Sequence, residues 1–180
     1  MRYRFPIFAA FLFLQSLNAD QASGPQVSDP AGSFTVVKCS GANDGVEAGT
    51  ELCYRTKYGS SPQVIVFARN AESVKGLAIA LDGVTGPSAK LRAFINILGS
   101  DPVAAENAAT ALGKDASLKN IVVTVPVESA HGPVSYAIDP KTQLTVLVIV
   151  NGVVTANHVG EAAGEDFVKT VLTSAKEAAG

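Results

Sequence analysis

Val64-Ile65-Val66-Phe67-Ala68-Arg69-Asn70-Ala71-Glu72-Ser73 changes period in mid-stretch. Val64 to Ala68 is unbroken apolar sequence that opens on three β-branched residues, which predicts a strand buried on both faces at the centre of a sheet. Asn70 then suits an N-cap, and Val74, Leu77, Ala78 and Leu81 follow at helical spacing. A buried strand feeding a helix opens a right-handed β-α-β unit. In such units the loop at the strand's carboxyl end is the usual place for chemistry. Here that loop carries no cysteine, no histidine and no glycine cradle.

Outward from this unit the pattern repeats. Gly83 and Gly86-Pro87 stop the first helix, and Leu91 to Leu98 reads as the next strand. Ser100-Asp101-Pro102 starts a second helix that reaches about Ala116, with Asp101 or Ser100 as its cap. Ile121 to Val127 is a further strand, and Pro126 predicts that it lies near an edge or ends there. After a loop from Glu128 to Gln143, Leu144 to Val150 and Val153 to Val159 flank Asn151-Gly152, a strong hairpin signal. Glu161 to Ala179 closes the chain as an amphipathic helix striped by Phe167, Val168, Val171, Leu172 and Ala175. Upstream, Phe34 to Lys38 is a short strand. Cys39 to Pro62 has no hydrophobic period and reads as a long loop with one helical turn near Glu51-Leu52. The class predicted is α/β, a mixed sheet with helices on both faces.

Residues 1–22 read as a secretory signal peptide. Met1-Arg2-Tyr3-Arg4 is basic, Phe5 to Leu14 is apolar, and the sequence turns polar before a cut between Ala19 and Ala22. The apolar run is about half the roughly 20 residues that a membrane-spanning helix needs. The expected location is extracytoplasmic, periplasmic or secreted, with no stable membrane span after signal removal. Residues 23–32 are rich in Ser, Gly, Pro and Gln and suit a flexible lead to a single domain over 33–180. The net charge of -2 and the absence of any Lys/Arg run argue against nucleic acid as a partner; a protein partner is left open.

The element order resembles the thioredoxin-like fold, in the variant of TlpA-type and peroxiredoxin-type proteins. The likeness rests on Val64 to Ala68 with its helix and on the hairpin from Leu144 to Gly160, preceded by Gly132 to Ile138. The family places redox cysteines at the start of that first helix, where this chain has Arg69-Asn70-Ala71-Glu72-Ser73. It places a cis-proline near the position of Gln143, and the nearest proline here is Pro140. A narrower group of secreted relatives carries Leu-Cys-Tyr-Arg-Cys-Lys-Tyr-Gly ahead of the central strand. This chain has Leu52-Cys53-Tyr54-Arg55-Thr56-Lys57-Tyr58-Gly59, with Thr56 in place of the second cysteine. The resemblance implies an exported thioredoxin-like protein lacking the usual Cys-x-x-Cys.

Cys39 and Cys53 are the only cysteines. In an oxidising compartment they predict one structural disulfide. It would close a loop of about 15 residues and add about 3 kcal/mol in the chain-entropy model. A reversible redox pair and two separate thiols are the alternatives. Tyr54 and Tyr58 flank Arg55 and Lys57, so these four residues are a candidate binding surface beside Cys53. His131 and His158 have no metal-ligand spacing to the cysteines, and no metal is predicted. Phosphate-loop, dinucleotide and nucleophile-elbow signatures are missing, so no cofactor is implied. The function expected is a binding or scaffold module stapled by one disulfide; the alternative is a divergent extracytoplasmic thiol–disulfide oxidoreductase using Cys39 and Cys53.

Overall fold

A computed structural model describes residues 23–86, 89–128 and 130–180, so the expected signal peptide lies outside the described residues. In chain order the elements are β1 (Val36–Gly41), β2 (Glu51–Leu52), α1 (Tyr54–Tyr58), β3 (Gln63–Ala68), α2 (Ala71–Val84) and β4 (Arg92–Ile97). They continue as α3 (Pro102–Asp115), β5 (Val122–Pro126), a 3-10 turn (Val134–Tyr136), β6 (Leu144–Val150), β7 (Val153–Gly160) and α4 (Glu165–Ala179). All seven strands form one mixed sheet in the order β2-β1-β5-β4-β3-β6-β7. β3, β4 and β5 are parallel neighbours joined by the crossover helices α2 and α3, as two successive β-α-β units require. β1 and β6 run antiparallel to the strands they flank.

Local signals explain the boundaries. The Asn70 side chain accepts hydrogen bonds from the N–H of Glu72 (2.9 Å) and Ser73 (3.4 Å), and Asp101 caps Val103 and Ala104 in the same way ahead of α3. Pro126 ends β5. Asn151 and Gly152 both have positive φ, +51° and +83°, which lets the two-residue turn follow the right-handed twist of β6 and β7.

Every residue of β3 is buried, as its composition requires. Val64, Val66 and Ala68 meet Leu77, Ala109, Val171 and their neighbours from α2, α3 and α4 on one face. Ile65 and Phe67 point to the other face, among Phe34, Tyr54, Phe94 and Tyr136. The three long helices therefore share one face. The opposite face is covered by α1, the 3-10 turn and the segment around Ala31 and Phe34. The result is three layers, α/β with helical cover on both sides.

The structure corrects three expectations. β4, not β3, is the fourth of seven strands, because β1 and β2 extend the sheet beyond β5. The long loop from Cys39 is shorter: β1 runs on to Gly41, Glu51 pairs with Val37 and Leu52 with Val36, and α1 follows. The lead 23–32 is not loose. Ser23 is fully buried, its hydroxyl is 2.7 Å from that of Thr145, and Asn157 donates to the carbonyls of Ser23 and Pro25. Ser28 N–H donates to Val154 O and Val154 N–H to Asp29 O, so the segment lies along the start of β7. Burying these backbone groups obliges them to find partners.

Candidate functional site

The tip of α2, where the resemblance would put a thiol, holds Arg69. The guanidinium donates from Nε to Thr142 O (3.0 Å) and from Nη2 to Asp139 O (3.2 Å), and Nη1 lies 3.4 Å from His131 Nδ1. The main-chain N–H of Arg69 donates to Gln143 O, the place expected for the proline. Arg69 thus ties the end of β3 to the loops after β5 and before β6. A guanidinium whose donors are taken by carbonyls acts as a fastener here, with no sulfur beside it.

Cys39 and Cys53 belong to different elements and have different surroundings. Cys39, at a bulge in β1, packs against the core under the long helices. Burial, helped by the Glu106 charge on α3, pushes its thiol up to about 11. Cys53 precedes α1, whose Tyr54 is buried in the aromatic core of the other face. Its sulfur accepts hydrogen bonds from Thr56 N–H (3.3 Å) and Thr56 Oγ1 (3.1 Å). Both cysteines are free. The expected Cys39–Cys53 disulfide is not formed in this structure, where Cys39 packs against the core under the long helices and Cys53 caps α1. Each sulfur has its own surroundings, Cys39 against the core under the long helices and Cys53 beside Thr56. Thr56, at the position of the missing second cysteine, instead solvates the Cys53 sulfur.

The four residues of the candidate binding surface part company. Tyr54 is fully buried, its ring 5.7 Å from that of Phe94, and serves the core. Arg55 turns back on α1, donates to Gly59 O (2.8 Å), and lines a shallow cleft with Thr56, Ser33 and Asn151. Lys57 and Tyr58 line a separate cleft of about 390 Å³ with Asp44, Arg92, Lys119 and Asn120. Behind it, buried Lys38 donates to Asp44 Oδ1 and to the carbonyls of Ala42 (2.7 Å) and Val46 (2.8 Å). Burial alone would raise the Asp44 carboxyl, yet the Lys38 ammonium, hydrogen-bonded to Oδ1, holds it below its usual range. Arg92 and Lys119 carry no local signal in the sequence. Only Lys38 carried a signal, as a charge at a buried phase of an apolar strand.

The histidines are not brought to the cysteines. His131 sits by Arg69, while His158 on β7 lies 3.1 Å from Ser174 Oγ on α4. Among the described residues no three His, Cys, Asp or Glu side chains are grouped to hold a metal ion, and no helix is long and apolar enough to cross a membrane.

No family model and no curated protein matches the chain. Solved structures do. A protein described as a disulfide isomerase from Bacteroides thetaiotaomicron aligns over 88% of this chain and 94% of its own, with 11% identity and a TM-score of 0.63. One described as the thiol:disulfide interchange protein DsbE from Chlorobium tepidum covers 88% and 99%, with 13% identity and a TM-score of 0.60. A peroxiredoxin-like protein from Aquifex aeolicus covers 84% and 90%, with 14% identity and a TM-score of 0.53. At such identities the likeness speaks to the fold, and the chain has the α/β thioredoxin-like fold.

Proposed function

We propose that this chain is an exported binding or scaffold protein on a thioredoxin-like frame, without dithiol catalysis. The observation that carries this reading is that the two thiols are unbonded and differently placed, Cys39 against the core under the long helices and Cys53 at the cap of α1. Dithiol exchange needs an attacking thiolate with a resolving thiol in reach. Cys39 is a poor nucleophile in its buried place, and the tip of α2 offers Arg69 and Asn70 instead of sulfur. The basic, then apolar, then polar layout of residues 1–22 supports export.

Insulin reduction by dithiothreitol tests the reading. The expected rate with the protein present is the rate with dithiothreitol alone. An acceleration that disappears in Cys53→Ser would overturn it. Amino-terminal sequencing of the protein from the extracytoplasmic fraction tests export, with a start between Asp20 and Ser23 expected and an intact Met1 contradicting it.

A further inference from the structure

We propose that the cleft between the end of α1 and the amino ends of β4 and β5 binds a small anion through Lys57, Arg92 and Lys119. This end of the sheet is opposite the α2 tip, and chain-distant elements build it. Lys57 and Tyr58 end α1, Arg92 opens β4, and Lys119 and Asn120 precede β5. The three cations line one concavity of about 390 Å³, a size suited to a small molecule.

The acids nearby are already committed. Among the described residues Asp44 is the only acid lining the cleft; Lys38 holds its Oδ1 from behind in a salt bridge of 2.6 Å, and Lys57 lies 3.8 Å from Oδ2 and donates to Asp44 O at 3.2 Å. Asp82, on α2, accepts on one oxygen the consecutive N–H groups of Lys119 (2.9 Å), Asn120 (2.7 Å) and Ile121 (3.1 Å). That carboxylate fixes the turn that presents Lys119. Arg92 is oriented by one donation, from Nη1 to Gly86 O at 2.7 Å. Its remaining donors suit a phosphate or carboxylate, which accept in pairs. The Tyr58 ring is held 5.4 Å from Tyr54 and 6.1 Å from Phe94, and gives the cleft a fixed aromatic wall. Three cations around one carboxylate, itself shared with Lys38, leave the cleft net positive in a chain of net charge -2, and a bound anion would offset that excess.

The ligand class is therefore a small molecule bearing a phosphate or carboxylate group. The biological sense of the site rests on the binding-module reading, but its test is separate. Thiol turnover on insulin would sink that reading and leave the cleft untouched; failure below would sink the cleft alone. The purified chain is titrated at low ionic strength with inorganic phosphate and, in a second arm, with acetate, while amide resonances are followed. Saturable shifts centred on Asp44, Lys57, Arg92 and Asn120 are expected. Tighter binding of phosphate would assign a phosphorylated ligand, and equal or tighter binding of acetate a carboxylate. Lys119→Gln, an exposed change, and Arg92→Gln should each weaken binding by about tenfold, roughly the loss of one charge-assisted contact. No saturable shift with either ion, shifts scattered over all surface lysines, or unchanged affinity in Lys119→Gln would each overturn the proposal.

Discussion

The two faces of the sheet are built by different means. One is aliphatic and covered by α2, α3 and α4, long helices with caps and regular stripes. The other is aromatic. Phe34 lies 5.7 Å from Phe67, 5.9 Å from Phe94 and 4.9 Å edge-on from Tyr136, and its cover is a five-residue helix, a 3-10 turn and irregular chain. Long helices bury area by repetition, so each residue contributes a little. Short covers must do it with a few large rings and specific polar ties. Cys39 packs against the aliphatic core, while Cys53 caps the short helix that covers the aromatic one.

If this contrast is right, the aromatic face should be the more sensitive to single changes. Phe94→Ala removes a buried ring that touches Phe34, Tyr54 and Tyr58, and should cost about 3–5 kcal/mol in denaturant unfolding. Leu77→Ala on the helical face should fall nearer the lower end of the roughly 2–5 kcal/mol range for such changes; a larger loss there than for Phe94→Ala would break the contrast. Lys38→Met takes the ammonium away from Asp44 and from two carbonyls at a position only 5% exposed. Removing one member of such a pair should cost about 3 kcal/mol, read in the same unfolding experiment, with the 42–50 loop losing amide protection first.

Smaller effects sharpen the picture on the helical face. Asn70→Ala removes both side-chain caps of α2 and should cost about 1 kcal/mol without altering the sheet. His158 is half-buried beneath α4, beside the Phe167 ring, and burial lowers its pKa. The unfolded chain therefore takes the proton more readily than the folded one. Stability should be full above the ordinary histidine value near 6.5 and decline as pH falls through the lower folded value. His158→Gln should flatten that decline, and a melting profile that is equally steep in the variant would remove His158 from the account.

What was legible in the sequence follows the same division. Unbroken apolar runs announced β3 and β6, helical stripes announced α2 and α4, and Asn151-Gly152 announced the hairpin, because each is a local pattern with a local cause. The aromatic face had no such pattern. β2 has two residues and α1 five, too few to show a period. The disulfide expectation failed at the same place. With a strand ending at Lys38, Cys39 belongs to a loop free to meet Cys53. With β1 continuing to Gly41, Cys39 falls at a bulge in the strand and packs against the core under the long helices. The cation cleft was half visible, since Lys57 and Tyr58 are near Cys53 in sequence while Arg92 and Lys119 reach it only through the parallel strands.

The separation of the thiols is tested most directly by mass spectrometry after oxidation. The native chain is equilibrated with oxidised glutathione, free thiols are alkylated without reduction, and the peptides are mapped. No peptide should join residue 39 to residue 53. Cys39 should alkylate on the order of 100-fold more slowly at pH 8 than an ordinary cysteine, as its raised pKa requires. A chain lighter by two hydrogens, with Cys39 and Cys53 in one linked peptide, would contradict the account.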